Sequence, residues 1–155
     1  MIVSNSSPLI VLGKQGRLSL LKYCFKKIVI PQGVFKEVMK KSQSVEALAL
    51  QKAREERWVE VRTIDVRPIL RTEQIGRGEK EAISLAAKLK TKLLIDDDSA
   101  KRFASLLGVE AHGTLFVLFL AVRLRKFDKE EARQLLEGMV EEGFYISTEL
   151  YAEYR

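Results

Sequence analysis

Apolar positions along this chain fall into two kinds of pattern. Short, nearly unbroken runs occur at Ile2-Val3-Ser4, Ile28-Val29-Ile30, Val59-Glu60-Val61, Leu93-Leu94-Ile95 and Val109-Glu110-Ala111. Runs this brief suit strands covered on both faces, as in a parallel sheet. Between them the apolar residues recur at helical spacing. Ser7 as an N-cap and Pro8 as the first helical residue predict a helix start, and Gly13 and Gly16 predict its end. Further helices are predicted over residues 17–25, around Val34, Phe35, Val38 and Met39, and over 45–57, 79–90 and 101–107. Another runs from Thr114, as its cap, to Arg125, and an amphipathic one spans 129–142. A last strand at Phe144-Tyr145-Ile146 and a helix from Thr148 close the pattern.

Strands alternating with helices predict βαβ units in one doubly wound α/β domain over residues 1–155, with right-handed crossovers. The exception is the stretch 62–78, where Pro68, two glycines and Arg62, Arg67, Arg71 and Arg77 predict an irregular connection and candidate phosphate contacts.

Composition narrows the chemistry. A single cysteine, Cys24, excludes a disulfide framework, and a single histidine, His112, argues against His-based zinc sites and Ser-His catalysis. No Walker A or GxGxxG pattern supports nucleotide binding. Gly13-Lys14-Gln15-Gly16 fits the GXXG of a KH domain, but helix-ending glycines account for it. The longest apolar run, Leu115 to Val122, has eight residues, whereas a bilayer span needs ~20. With no basic segment leading an apolar one at the N-terminus, the expected location is intracellular and cytoplasmic. The net charge of +6 favours a polyanionic partner.

Acidic residues supply the candidate chemistry. Ligands of open α/β sheets bind beyond the carboxyl ends of strands. Asn5, Ser6 and Ser7 follow the first predicted strand, Glu37 lies one turn after the second, and Asp96-Asp97-Asp98 follow the fourth. Glu79 lies four residues before Ile83 and so falls on the buried stripe of its helix. Each acid also has a purely structural reading. Glu79 suits a helix N-terminus, one of the three aspartates suits a cap for a helix near Ser99, and Glu37 suits an i,i+4 pair with Lys41. If the acids converge, each like-charge pair costs about 4 kcal/mol at 4 Å and an effective dielectric of 20. A cation would relieve that cost, and oxygen-only ligands select Mg²⁺ or Mn²⁺. Such an ion activates water and clamps phosphate, which is the chemistry of phosphodiester hydrolysis.

The chain resembles the PIN-domain family, and within it the VapC-like toxin ribonucleases. The resembling stretches are Ile2-Val3-Ser4-Asn5-Ser6-Ser7-Pro8-Leu9-Ile10, Ile30-Pro31-Gln32-Gly33-Val34-Phe35-Lys36-Glu37-Val38, Gly78-Glu79-Lys80-Glu81-Ala82-Ile83, Leu94-Ile95-Asp96-Asp97-Asp98 and Gly113-Thr114-Leu115, which sample roughly residues 1–125 in family order. The resemblance implies a three-layer fold, with a parallel sheet of order 3-2-1-4-5 between helices. It implies an endoribonuclease using Mg²⁺ or Mn²⁺, a small antitoxin partner and a homodimer. Carried onto this chain, the site residues are Asn5, Glu37, Glu79 and Asp97, with Asp96 as a further candidate ligand and Ser7 as a nearby hydroxyl. In this assignment Glu79 and Asp97 hold the metal, Glu37 supports it or a second ion, and Asn5 orients a ligand or water. Asn5 departs from the family's usual Asp, since an amide oxygen brings no charge and cannot act as a base. A second expectation is therefore a weakly active or inactive relative that binds RNA or protein. A third, phosphoryl transfer on an Asp, lacks a nucleophile after the first strand.

Overall fold

A computed structural model describes residues 1–144. The strand expected at 144–146 lies outside the described residues from position 145 on, as does the helix expected from Thr148. Within these residues five strands form one all-parallel sheet, β1 (Ile2–Ser4), β2 (Ile28–Pro31), β3 (Val59–Arg62), β4 (Leu93–Leu94) and β5 (Ala111–His112). Their order is β3-β2-β1-β4-β5, as the resemblance implied. Among the described residues eight helices flank it, α1 (Ser6–Lys14), α2 (Ser19–Phe25), α3 (Gln32–Val38), α4 (Val45–Glu55), α5 (Arg77–Leu89), α6 (Asp98–Leu106), α7 (Thr114–Arg123) and α8 (Lys129–Glu141).

Every residue of β1 and β2 is buried, which is why these strands read as unbroken apolar runs. The edge strand β3 alternates more and ends exposed at Arg62. Register pairs Val3 with Val29 on one side and with Leu93 on the other. The sheet packs into a core that includes Leu9, Leu12, Leu21, Ile30, Leu50, Ile83 and Leu118. Helix α1 packs on α4, α3 on α5 and α2 on α7.

Several boundaries differ from the sequence expectation, each for a local reason. Helix α1 begins at Ser6, with Asn5 rather than Ser7 in the N-cap position. Gly13 continues that helix instead of breaking it, because α4 crosses there. A Cβ on Gly13 would lie 2.8 Å from Cβ and 2.9 Å from Cα of Glu46. The fifth strand falls at Ala111–His112, two residues later than the apolar cue at Val109, which joins the core after α6 instead. Thr114 is the first residue of α7, with Gly113 at the cap. The stretch 63–76 is irregular as expected, apart from one 3-10 turn at Pro68–Leu70.

Candidate active site

Strand order reverses beside β1, whose two neighbours lead the chain to opposite edges. That reversal opens a crevice at the carboxyl ends of β1 and β4. Asn5 continues the ladder there, its backbone N–H donating to the Leu94 carbonyl at 2.8 Å. This bond sets Asn5 beside the residues that follow β4. Its side chain is buried, and its Oδ1 has no hydrogen-bond partner. A buried acceptor without a donor is costly and unusual in a folded protein.

A cavity of about 470 Å³ is lined by Asn5, Ser7, Lys14, Glu79, Asp96 and Asp97, with a floor and wall that include Ile10, Met139 and Phe144. Asn5, Glu79 and Asp97, the first and last more than ninety positions apart in sequence, thus line one cavity. Glu37 does not line this cavity; it lines a neighbouring one. It still lies close enough to act on Glu79. Burial, followed by the charges of Asp97 and Glu37, raises the Glu79 pKa above its ordinary 4.5, opposed by the Gly76 N–H. No ion pair joins Glu37 to Lys41 among the described residues, so the helix-surface pairing suggested by their spacing is not formed.

The three consecutive aspartates have three different fates. Asp98 opens α6 and is exposed. Asp97 caps α6, its Oδ1 accepting from Ala100 N–H at 2.8 Å, and the exposed residue also lines the cavity. Asp96 is fully engaged. Its Oδ2 accepts from Ser7 Oγ at 2.8 Å and Thr114 Oγ1 at 2.7 Å, and its Oδ1 accepts from Thr114 N–H at 2.7 Å. Asp96 therefore ties the starts of α1 and α7 to the end of β4. Glu79 both caps and lines the cavity, since its Oε1 accepts from Gly76 N–H at 2.9 Å at the start of α5.

Glu81 is a residue that sequence reasoning did not single out. It is buried, and its Oε1 accepts from Gly33 N–H at 2.9 Å while Oε2 accepts from Arg77 Nε at 2.9 Å. It fastens α5 to the first turn of α3, the helix that carries Glu37. The available signal was Arg77 four residues earlier on the same helix. Close approach explains Gly33, where a Cβ would sit 2.9 Å from Glu81 Oε1.

Among the described residues no three Asp, Glu, His or Cys side chains are gathered tightly enough to cage a metal by themselves. The donors present nonetheless fit a magnesium-type ion. Such ions use one or two carboxylates and complete their shell with waters and substrate phosphate. Glu79, Asp97 and the unpartnered Asn5 Oδ1 are a donor set of that kind.

An all-parallel 3-2-1-4-5 sheet with carboxylates collected at its reversal defines a nuclease-like α/β domain. The chain belongs to the PIN-domain family: the family described as DUF3368, a PIN domain, matches residues 1–155. PIN domains are generally nucleases and typically use divalent metal ions. A solved structure similar to it is a PilT N-terminus domain protein from the archaeon Sulfolobus solfataricus P2. That protein is 24% identical, with a TM-score of 0.54 over 80% of this chain and 93% of the other. A domain of a functionally unknown protein from Methanocaldococcus jannaschii is more distant, at 18% identity and a TM-score of 0.45 over 72% and 89% of the two chains. No curated protein matches.

Proposed function

We propose that this PIN domain is a Mg²⁺- or Mn²⁺-dependent endoribonuclease, the toxin of a toxin–antitoxin pair with a small protein antitoxin. The observation that carries the nuclease reading is the buried, unpartnered Oδ1 of Asn5 in the same cavity as Glu79 and Asp97. Asn5, Glu79 and Asp97 would hold the ion, and Glu37, which lines the neighbouring cavity, would act on it through its charge. When bound, the ion supplies Lewis-acid polarisation of a phosphate and a water of lowered pKa. Asp96 keeps Ser7 and Thr114 in register beneath the site, and Lys14 offers a positive charge to the incoming phosphate. The toxin role and the antitoxin rest on the resemblance of the five ordered stretches to VapC-like proteins, and a homodimer is proposed on the same ground.

The test is cleavage of RNA by purified protein with Mn²⁺ or Mg²⁺, against Asp97→Ala prepared identically. Loss of turnover in the variant is expected; equal cleavage by both would refute the assignment. A second reading is supported by Asn5 itself, which supplies no charge. In it the domain binds RNA or protein without cutting. Calorimetric titration of Mn²⁺ into wild type and Asn5→Asp separates the two. The nuclease reading expects measurable binding in wild type, tightened on the order of tenfold in the variant. No binding by either protein would leave only the second reading.

A further inference from the structure

Beside the acidic cavity lies a second, larger one of about 710 Å³, lined in part by Lys36, Lys40, Arg77 and Glu37. A third, of about 550 Å³, carries Arg67 and Lys88. Thr63 and Ile64 line both, so the two adjoin along the start of the 63–76 connection and are treated together as one groove. Five cations face this groove against Glu37, Glu81 and Asp65. Glu81 is already neutralised by Arg77 at 2.9 Å, whereas Lys36, Lys40, Arg67 and Lys88 pair with no carboxylate among the described residues. The acidic cavity has the opposite balance, with Lys14 alone against Glu79, Asp96, Asp97 and Glu142. The two are adjacent, because Gly78 lines the groove, Glu79 lines the cavity, and the charge of Glu37 reaches Glu79.

A polymer with one anion per residue suits this arrangement. The reacting phosphate needs a site that holds a cation, while its neighbours need cations supplied by the protein. We infer that the Lys36–Lys40–Arg77–Arg67–Lys88 groove binds the phosphate backbone of a single-stranded polynucleotide whose scissile bond enters the acidic cavity past Glu37. The inference rests on the nuclease reading for its polarity, but it concerns residues outside the site. Lys36 lies in the last turn of α3 and Lys40 in the turn just beyond its end, and both line the groove. An acidic peptide offers anions too, but nothing in it requires the neighbouring cation site.

The experiment measures binding of a fluorescent RNA 12-mer by anisotropy in Ca²⁺, over times at which gels show the strand intact. The salt dependence is compared for wild type, Lys36→Gln/Lys40→Gln and Arg67→Gln/Lys88→Gln. The control, Lys26→Gln/Lys126→Gln, removes the same charge at the amino-end side of the sheet. Losing two phosphate contacts makes the log–log salt slope about 1.4 shallower for a single strand, which corresponds to roughly 10–15-fold weaker binding at 0.15 M salt. Each groove variant should show this loss, and the control should not. A matching DNA 12-mer should lose affinity by the same factor, because phosphates are common to both. A loss confined to RNA would overturn the backbone assignment. So would groove variants that bind like wild type, or tighter binding of polyglutamate than of RNA that disappears in the same variants. Hydrolysis of bis(4-nitrophenyl) phosphate with Mn²⁺, which needs no groove, keeps the two readings apart. Normal hydrolysis with unchanged RNA affinity in the variants sinks the groove alone. Absent hydrolysis with reduced affinity in the variants sinks the nuclease alone.

Discussion

Asp96 and Asp97 are adjacent and chemically identical, yet the structure assigns them opposite sensitivities. Replacing Asp96 by Ala leaves the N–H and hydroxyl of Thr114, a fully buried residue, without their acceptor, together with the half-buried Ser7 hydroxyl. Each buried group left unpaired costs about 1–3 kcal/mol. Ser7 can be rehydrated and the Thr114 hydroxyl can rotate, so the sum is about 2–5 kcal/mol. For a domain of this size that corresponds to a fall in Tm of roughly 5–15 °C. Asp97→Ala removes a helix cap, a loss of about 1 kcal/mol, but also removes a negative charge that acts on Glu79. Its net effect on the metal-free protein should stay within about 1 kcal/mol. Urea unfolding followed by circular dichroism in EDTA at neutral pH measures both. Asp96→Asn should fall between them, because the amide oxygen still accepts from Thr114 N–H and the two hydroxyls can turn to accept. A double-mutant cycle of Asp96→Ala with Thr114→Val should show coupling above about 1 kcal/mol. Equal stabilities of Asp96→Ala and Asp97→Ala, or additive behaviour in the cycle, would refute the division of roles.

Three further outcomes follow from the contacts. Gly13→Ala should destabilise by about 1–3 kcal/mol in the same unfolding assay, because the new Cβ meets α4 at Glu46; helix propensity alone predicts a gain of ~1 kcal/mol, so the sign decides. Glu79 has a folded pKa raised above 4.5, so the native chain binds its proton more tightly than the unfolded one. Its contribution to stability is therefore present below the unfolded value and is lost as pH rises through the folded value. Metal-free Glu79→Gln should accordingly gain stability over wild type at pH 7 and match it near pH 4, and excess Mn²⁺ should reverse the order at pH 7. Glu81→Ala should cost about 1–3 kcal/mol from the orphaned Gly33 N–H, and amide exchange should quicken in the first turn of α3.

Much of the fold was legible because strands buried on both faces must be apolar throughout. The runs at Ile2, Ile28 and Leu93 are of that kind, and the alternating Val59-Glu60-Val61 became the half-exposed edge strand. The fifth strand was misplaced because its position is set by hydrogen bonds to Leu93 and Ile95, which any residue can supply. Gly13 was misread for a related reason: a glycine inside a helix looks like a break until the crossing helix is known.

The site divides in the same way. Sequence alone determined which residue types stood after which strands, and with them an oxygen-rich set of candidate ligands in place of thiol or imidazole ones. Only the tertiary structure decided what each carboxylate does. It set Asp96 as a clamp, Asp97 as a cap that also lines the cavity, Glu79 as a half-buried acid under the charges of Asp97 and Glu37, and Glu81 as a fastener between helices. A carboxylate is defined by the donors and charges around it, and here most of those come from segments distant in the chain.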